Sequence, residues 1–177
     1  MYAVRFHGRG GQGAKTASRI LGTAAFLSGY QAQDSPIYGA ERRGAPVAAF
    51  TRFGREPIRE RGVIAHPDLV VVADASLLED PAARVSDGIT EQTILFINSP
   101  LHAEQIRAPS ALCGRITTLG VTEIALQHFG QREAISALLG AVAARLSGLQ
   151  QEPLRQAIAR ELEDLGVAPP IIERNQT

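Results

Sequence analysis

The stretch "RFHGRGGQGAKTASRI" at residues 5–20 restricts the fold more than any other part of this 177-residue chain. A strand-like run leads into Gly8, Gly10, Gly11 and Gly13, and an amphipathic helix pattern begins directly after the last glycine. Residues 2–7 alternate weakly and carry Val4 and Phe6, which suits a first strand. From Ala14 to Leu27 the apolar Ala17, Ile20, Leu21, Ala24 and Leu27 recur at three- and four-residue steps. Lys15, Ser18 and Arg19 take the other side, the pattern of a helix laid on a sheet, and Gly29 supplies a stop signal. Strand, glycine turn and helix in direct succession open an α/β sheet.

The rest of the chain extends that unit. Residues 31–35 suit a second strand, and "SPIYGAERRGAP" (35–46), with no clean period, reads as an ordered loop. "VAAFTRF" (47–53) reads as a strand closed by Gly54. "DLVVVAD" (68–74) and "TILFIN" (93–98) are dense apolar runs of the kind buried on both faces of a parallel sheet, and "GRITTL" (114–119) is a weaker candidate. The C-terminal third is helical. Ile135, Leu138, Leu139, Val142 and Leu146 form one stripe, and Leu154, Ala157, Ile158, Leu162 and Leu165 another; Gly166, Pro169 and Pro170 close the last helix. No repeat or linker divides residues 1–177. The expected architecture is one α/β domain: an open, mostly parallel sheet flanked by helices, with a Rossmann-like glycine turn after the first strand.

Composition narrows the functional classes. The chain is 45% hydrophobic and 20% charged, as globular cores are, and its net charge is zero. No global basic field draws it to nucleic acid or to an anionic membrane. No window reaches the ~18 apolar residues of a membrane span, and a soluble, cytoplasmic protein is expected. Lys15 is the only lysine; the other cations are arginines, which favour fixed, forked contacts with carboxylates and phosphates. Cys113 stands alone, so this chain cannot by itself build a disulfide or a cysteine-bound metal or iron–sulfur site. It is expected to be a small buried or half-buried residue of ordinary reactivity.

Gly8-x-Gly10-x-x-Gly13 sits between a strand and a helix, as a dinucleotide-binding turn requires, and Asp34 lies near the spacing of a ribose-binding acid. Against a nicotinamide site, residues 35–46 show no helical period where a second helix is due, and no general acid or base suggests itself. Three readings stay open at this point: an anion or partner contact at the helix N-terminus, a turn that only permits tight packing, and a free-standing NAD(P)-binding oxidoreductase domain. In the loop, Glu41, Arg42 and Arg43 are three successive charges held between glycines. Either they form a solvated surface, or one arginine pairs with Glu41 while the other reaches a partner or a phosphate. His7 reads as a structural histidine and His66 as the edge of a turn. Asn98 and Ser99 fall at the C-terminal end of a sheet strand, where open α/β sheets place ligands, and are candidate contacts.

"FHGRGGQG", "YGAERRGAPVAAFTRF", "HPDLVVVAD" and "ALLGA" (137–141), in this order and spacing, resemble the gamma subunit or domain of the 2-oxoacid:acceptor oxidoreductases, the family that includes pyruvate:ferredoxin oxidoreductase. The resemblance implies a complex of anaerobic metabolism that decarboxylates a 2-oxo acid on thiamine diphosphate with Mg2+, passes electrons through [4Fe–4S] clusters to ferredoxin or a similar acceptor, and forms an acyl-CoA. This chain carries no GDG…N thiamine diphosphate signature and one cysteine, so those cofactors are expected on partner subunits. No catalytic residue and no metal ligand is assigned to it. By matching motif positions, Gly8, Arg9, Gly10, Gly11, Gln12 and Gly13 are expected to help seat coenzyme A, with Asn98 and Ser99 as further contacts. Tyr38, Glu41, Arg42, Arg43 and Gly44 are expected to face the thiamine-bearing partner.

Overall fold

A computed structural model describes residues 1–36, 44–106, 112–129 and 134–166. Its elements are β1 (Tyr2–Arg9), α1 (Ala14–Leu27), β2 (Gln31–Pro36), β3 (Pro46–Gly54), β4 (Leu69–Val72), β5 (Ile94–Asn98), β6 (Arg115–Leu119), α2 (Val121–Phe129), α3 (Ala134–Leu146) and α4 (Gln151–Asp164). The strands form one sheet in the order β2-β3-β1-β4-β5-β6. From β1 through β4 and β5 to β6 every pairing is parallel. On the other side β3 runs antiparallel to both β1 and β2.

The helix expected over Ala14–Leu27 forms over those residues, and the expected strands appear with shifted ends. The run at 68–74 contributes only Leu69–Val72 to the sheet, because Asp74 turns the chain by accepting a hydrogen bond from the Ser76 backbone N–H. The two helical stripes become α3 and α4, and α2 is an additional helix ahead of them. Cys113 corrects the expectation of burial: it is exposed.

The sheet has two unlike faces. On one, Val4, Phe6, Phe53, Leu69, Val71 and Phe96 meet the apolar sides of α1, α3 and α4. Each large side chain removed from water there contributes roughly 1.5–3 kcal/mol. Helices α1 and α3 approach closely because Gly140 has no side chain; a Cβ there would stand 2.9 Å from Cβ of Ile20. That is the structural role of the glycine in "ALLGA". Buried Glu161 ties α4 to α1, accepting from the Thr23 hydroxyl at 2.7 Å and pairing with Arg19 at 2.9 Å.

On the other face, residues 75–90 cover β4 and β5, packing Leu77, Leu78, Ala83 and Val85 on Val70, Val72, Leu95 and Ile97. Over β1 and β3 the cover is thinner: a small cluster of Ala3, Phe50 and Ile64. Two buried arginines hold residues 62–64 to this face. Arg5 donates to the carbonyls of Ile64 (3.4 Å) and Val85 (2.8 Å). Arg52 donates to those of Gly62 and Val63, both at 3.0 Å.

Candidate functional site

The C-terminal ends of the parallel strands meet where the glycine turn leaves β1. Gly13 caps α1 with a left-handed backbone (φ 78°, ψ 13°) and, as a glycine, supplies no side-chain cap of its own. A side chain at Gly13 would also collide with Ser136 at the start of α3, so two independent constraints select glycine there. Gly8 packs against Ala14 and Ala73. Gly11 has a positive φ of 91° and open space where a Cβ would stand. No acidic residue occupies the first turn of α1, so the positive end of its dipole is not offset locally.

The turn is tied to the end of the arginine loop. The Gly10 N–H donates to the Ala45 carbonyl at 2.9 Å, the Gly44 N–H donates to the Gly10 carbonyl at 3.3 Å, and the Arg9 guanidinium donates to the Gly44 carbonyl at 3.2 Å. Tyr38, Glu41, Arg42 and Arg43 lie outside the described residues. Gly44, exposed, is where the loop rejoins the structure. Two stretches joined by residues 35 positions apart thus form one unit.

Arg9 and Gln12 are committed within the protein. Arg9 donates to Ser76 Oγ at 2.8 Å and forms ion pairs with Asp74 (3.5 Å) and Asp80 (3.6 Å). Gln12 folds back, accepting from the Arg9 backbone N–H at 2.7 Å and donating to Asp74 at 2.9 Å. Partial burial pushes the Asp74 carboxyl up, but hydrogen bonds from Gln12 and Ser76 and the Arg9 charge outweigh it and hold the group below the usual carboxylate range. The clamp of Asp74, Ser76 and Asp80 has no counterpart in the sequence reading. Its one local signal is an aspartate directly after the buried run that becomes β4.

Asn98, at the end of β5, donates to the Ala73 carbonyl and to the Thr122 hydroxyl, both at 2.9 Å, and accepts from the Thr122 N–H at 3.2 Å. It thereby joins β4, β5 and the start of α2. Ser99 is buried; its N–H donates to the Leu119 carbonyl at 3.1 Å, and its hydroxyl accepts from the Leu101 N–H at 3.2 Å. Asp34 stands apart from the turn. It pairs with Thr51 across the sheet, and its Cβ is 3.8 Å from where one on Gly22 would be. That position lies about 14 Å along α1 from Gly13. Because β3 intervenes between β1 and β2, the acid is not beside the glycine turn as a dinucleotide site needs.

Fold and site together define an open α/β domain whose glycine turn meets Gly44 and Ala45 at the carboxyl end of β1. A family model described as pyruvate ferredoxin/flavodoxin oxidoreductase matches residues 3–176, and the chain belongs to that family. It is similar to the common gamma subunit of the pyruvate/ketoisovalerate oxidoreductases of Pyrococcus furiosus, with 42% identity covering 89% of this chain and 85% of that one. It is 41% identical to the pyruvate synthase subunit PorC of Thermotoga maritima, over 93% of this chain and 82% of that one. The crystal structure of pyruvate oxidoreductase subunit PORC from Thermotoga maritima superposes with a TM-score of 0.76 at 34% identity, covering 99% of this chain and 90% of that one. A 2-oxoglutarate:ferredoxin oxidoreductase from Magnetococcus marinus, solved with 2-oxoglutarate, coenzyme A and succinyl-CoA, shares the fold: TM-score 0.76 at 14% identity, over 98% of this chain and 29% of that one. The chain is accordingly a gamma-type subunit of 2-oxoacid:ferredoxin oxidoreductases.

Proposed function

We propose that this subunit completes a site whose carbon and electron chemistry lies on partner chains, and that its share is to help seat coenzyme A against the thiamine-bearing partner. The carrying observation is the fastening of turn to loop: Gly10 to Ala45 at 2.9 Å and Arg9 to Gly44 at 3.2 Å make one surface of a glycine-capped helix N-terminus and the base of an arginine-bearing loop. Such a surface suits the phosphates of coenzyme A, since backbone N–H groups, the helix dipole and forked guanidinium groups all favour them. Coenzyme A supplies the thiol that accepts the acyl group. This chain's residues bind and orient.

Within that reading the residues divide. Backbone groups of Gly11, Gly13 and the first turn of α1, with Arg42 and Arg43, are the phosphate-facing elements. Gly8 and Gly10 shape the turn, and Arg9 and Gln12 brace it from behind, because their side chains are already engaged by Asp74, Asp80 and Ser76. Tyr38, Glu41 and Gly44 flank the arginines at the partner. Asn98 and Ser99 hold the neighbouring strand end within the same edge. Thiamine diphosphate, Mg2+ and the [4Fe–4S] clusters are assigned to the partners, as one cysteine in this chain requires for the clusters.

The test is steady-state kinetics of the assembled complex carrying Arg42→Ala with Arg43→Ala. The expected result is at least about a tenfold rise in KM for coenzyme A, a loss of about 1.4 kcal/mol, with KM for the 2-oxo acid unchanged. An unchanged KM for coenzyme A contradicts the reading. Loss of the folded state by circular dichroism would make the loop structural instead.

A further inference from the structure

Asp74 is the point where the sheet, the glycine turn and the base of the arginine loop are joined. The residue before it, Ala73, is pinned on both sides. Its N–H donates to the His7 carbonyl at 2.8 Å, and its carbonyl accepts from Asn98 at 2.9 Å. From that fixed place the Asp74 carboxylate divides its oxygens between two tasks. Oδ1 accepts from the Ser76 N–H at 3.0 Å and the Ser76 hydroxyl at 2.7 Å, which shapes the turn after β4. Oδ2 accepts from Gln12 Nε2 at 2.9 Å and pairs with Arg9 Nε at 3.5 Å. Every one of these partners is a donor, and an ionised carboxylate is the small side chain that accepts at both of its oxygens.

The turn needs such an anchor. Glycines bring the backbone no side chain to hold it, and they lose more freedom on ordering than any other residue. Between Gly10 and Gly13 the one side chain is that of Gln12, and both of its polar atoms are engaged: Oε1 by the Arg9 N–H at 2.7 Å, Nε2 by Asp74. The Arg9 guanidinium extends the same anchor to the loop, reaching the Ser76 hydroxyl at 2.8 Å on one side and the Gly44 carbonyl at 3.2 Å on the other. We propose that Asp74 is a positioning residue for coenzyme A: through Gln12 and Arg9 it fixes the glycine turn against the chain that re-enters at Gly44. The proposal rests on the coenzyme A reading and adds to it a residue that touches no ligand. A surface ordered in advance binds more tightly than one that must be ordered on contact. Loss of the anchor therefore falls on coenzyme A affinity rather than on steps carried by partner chains.

The test is Asp74→Asn in the assembled complex, at subunit concentrations well above those that assembly requires. The amide oxygen keeps the Ser76 bonds, but the amide nitrogen meets Gln12 Nε2 and Arg9 Nε donor against donor. Turning the Gln12 amide over only moves the conflict to the Arg9 N–H. The expected result is about a fivefold rise in KM for coenzyme A, with kcat and KM for the 2-oxo acid within about twofold of the parent. Hydrogen exchange supplies a reading that depends on no ligand. The Gly10 and Gly44 amides, which donate to Ala45 and Gly10, are expected to exchange at least about tenfold faster in the variant. Gln12→Ala, which frees the turn while leaving Asp74 and Ser76 in place, is expected to shift KM and exchange in the same direction, and it serves where Asp74→Asn fails to fold. Unaltered exchange at Gly10 and Gly44 overturns the proposal whatever KM does. Faster exchange with an unchanged KM for coenzyme A also overturns it where Arg42→Ala with Arg43→Ala raises that KM. Where none of these variants raises it, the coenzyme A reading falls and the proposal with it.

Discussion

Strand β1 presents two kinds of residue to two kinds of surroundings. Val4 and Phe6 point into a helix-covered core with almost no exposure, whereas Arg5 and His7, one residue out of step, line a cavity and carry buried polar groups. The first face is saturated by α1, α3 and α4; the second is held only by short segments pinned through arginine–carbonyl bonds. One period-2 strand thus separates residues that pack apolar helices from residues that pin the opposite cover through polar bonds. Arg9, at its end, belongs to neither: it is the brace of the turn.

The largest way to break this contrast is Phe6→Ala, which empties a close-packed site and is expected to cost about 3–5 kcal/mol in urea denaturation. Ala48→Val, paired with His7 on the other face, adds volume where space exists and is expected to stay within about 1 kcal/mol of the parent. Equal costs would show the two faces to be packed alike.

The next effect is pH dependence. His7 has a folded-state pKa lowered to about 4, against an ordinary value of 6.5. In that window the unfolded chain binds the proton and the folded chain does not. Stability is therefore complete above about pH 6.5 and is lost as pH falls toward about 4, by up to about 3 kcal/mol. His7→Gln is expected to remove that share of the acid sensitivity, and parallel pH–stability curves for the two proteins would contradict it.

How much of this was legible in the sequence follows from what periodicity encodes. The three- and four-residue spacing of Ala17, Ile20, Leu21 and Ala24 marked α1, and the dense apolar runs marked β4 and β5, because burial of a face leaves a local trace. The direction of β3 left none, since an antiparallel neighbour buries the same alternation as a parallel one. The insertion of β3 between β1 and β2, equally silent in the sequence, moves β2, and Asp34 with it, away from the glycine turn. For the site, Arg9, Gln12 and the loop were visible as unusual residues between glycines. Their partners Asp74, Ser76 and Asp80 were not, because those contacts span more than 60 residues of chain.

Asp74→Ala probes that brace. The Arg9–Asp74 pair is partly exposed, at 28% for each side chain, and its loss is expected to cost no more than about 1 kcal/mol of stability. Assembly with the partner subunits should weaken several-fold, read by analytical ultracentrifugation; an unchanged assembly constant would confine the clamp to a local role. Smallest for the fold is the double replacement of Arg42 and Arg43, expected to shift stability by no more than about 0.5 kcal/mol while it impairs coenzyme A use in the complex.

The most direct measurement is turnover of a 2-oxo acid, with coenzyme A and ferredoxin supplied, by the purified chain alone and by the same chain reconstituted with the other subunits of its complex. The expected result is no turnover from the chain alone and restored turnover in the complex. Turnover by the isolated polypeptide would contradict a subunit that contributes position rather than chemistry.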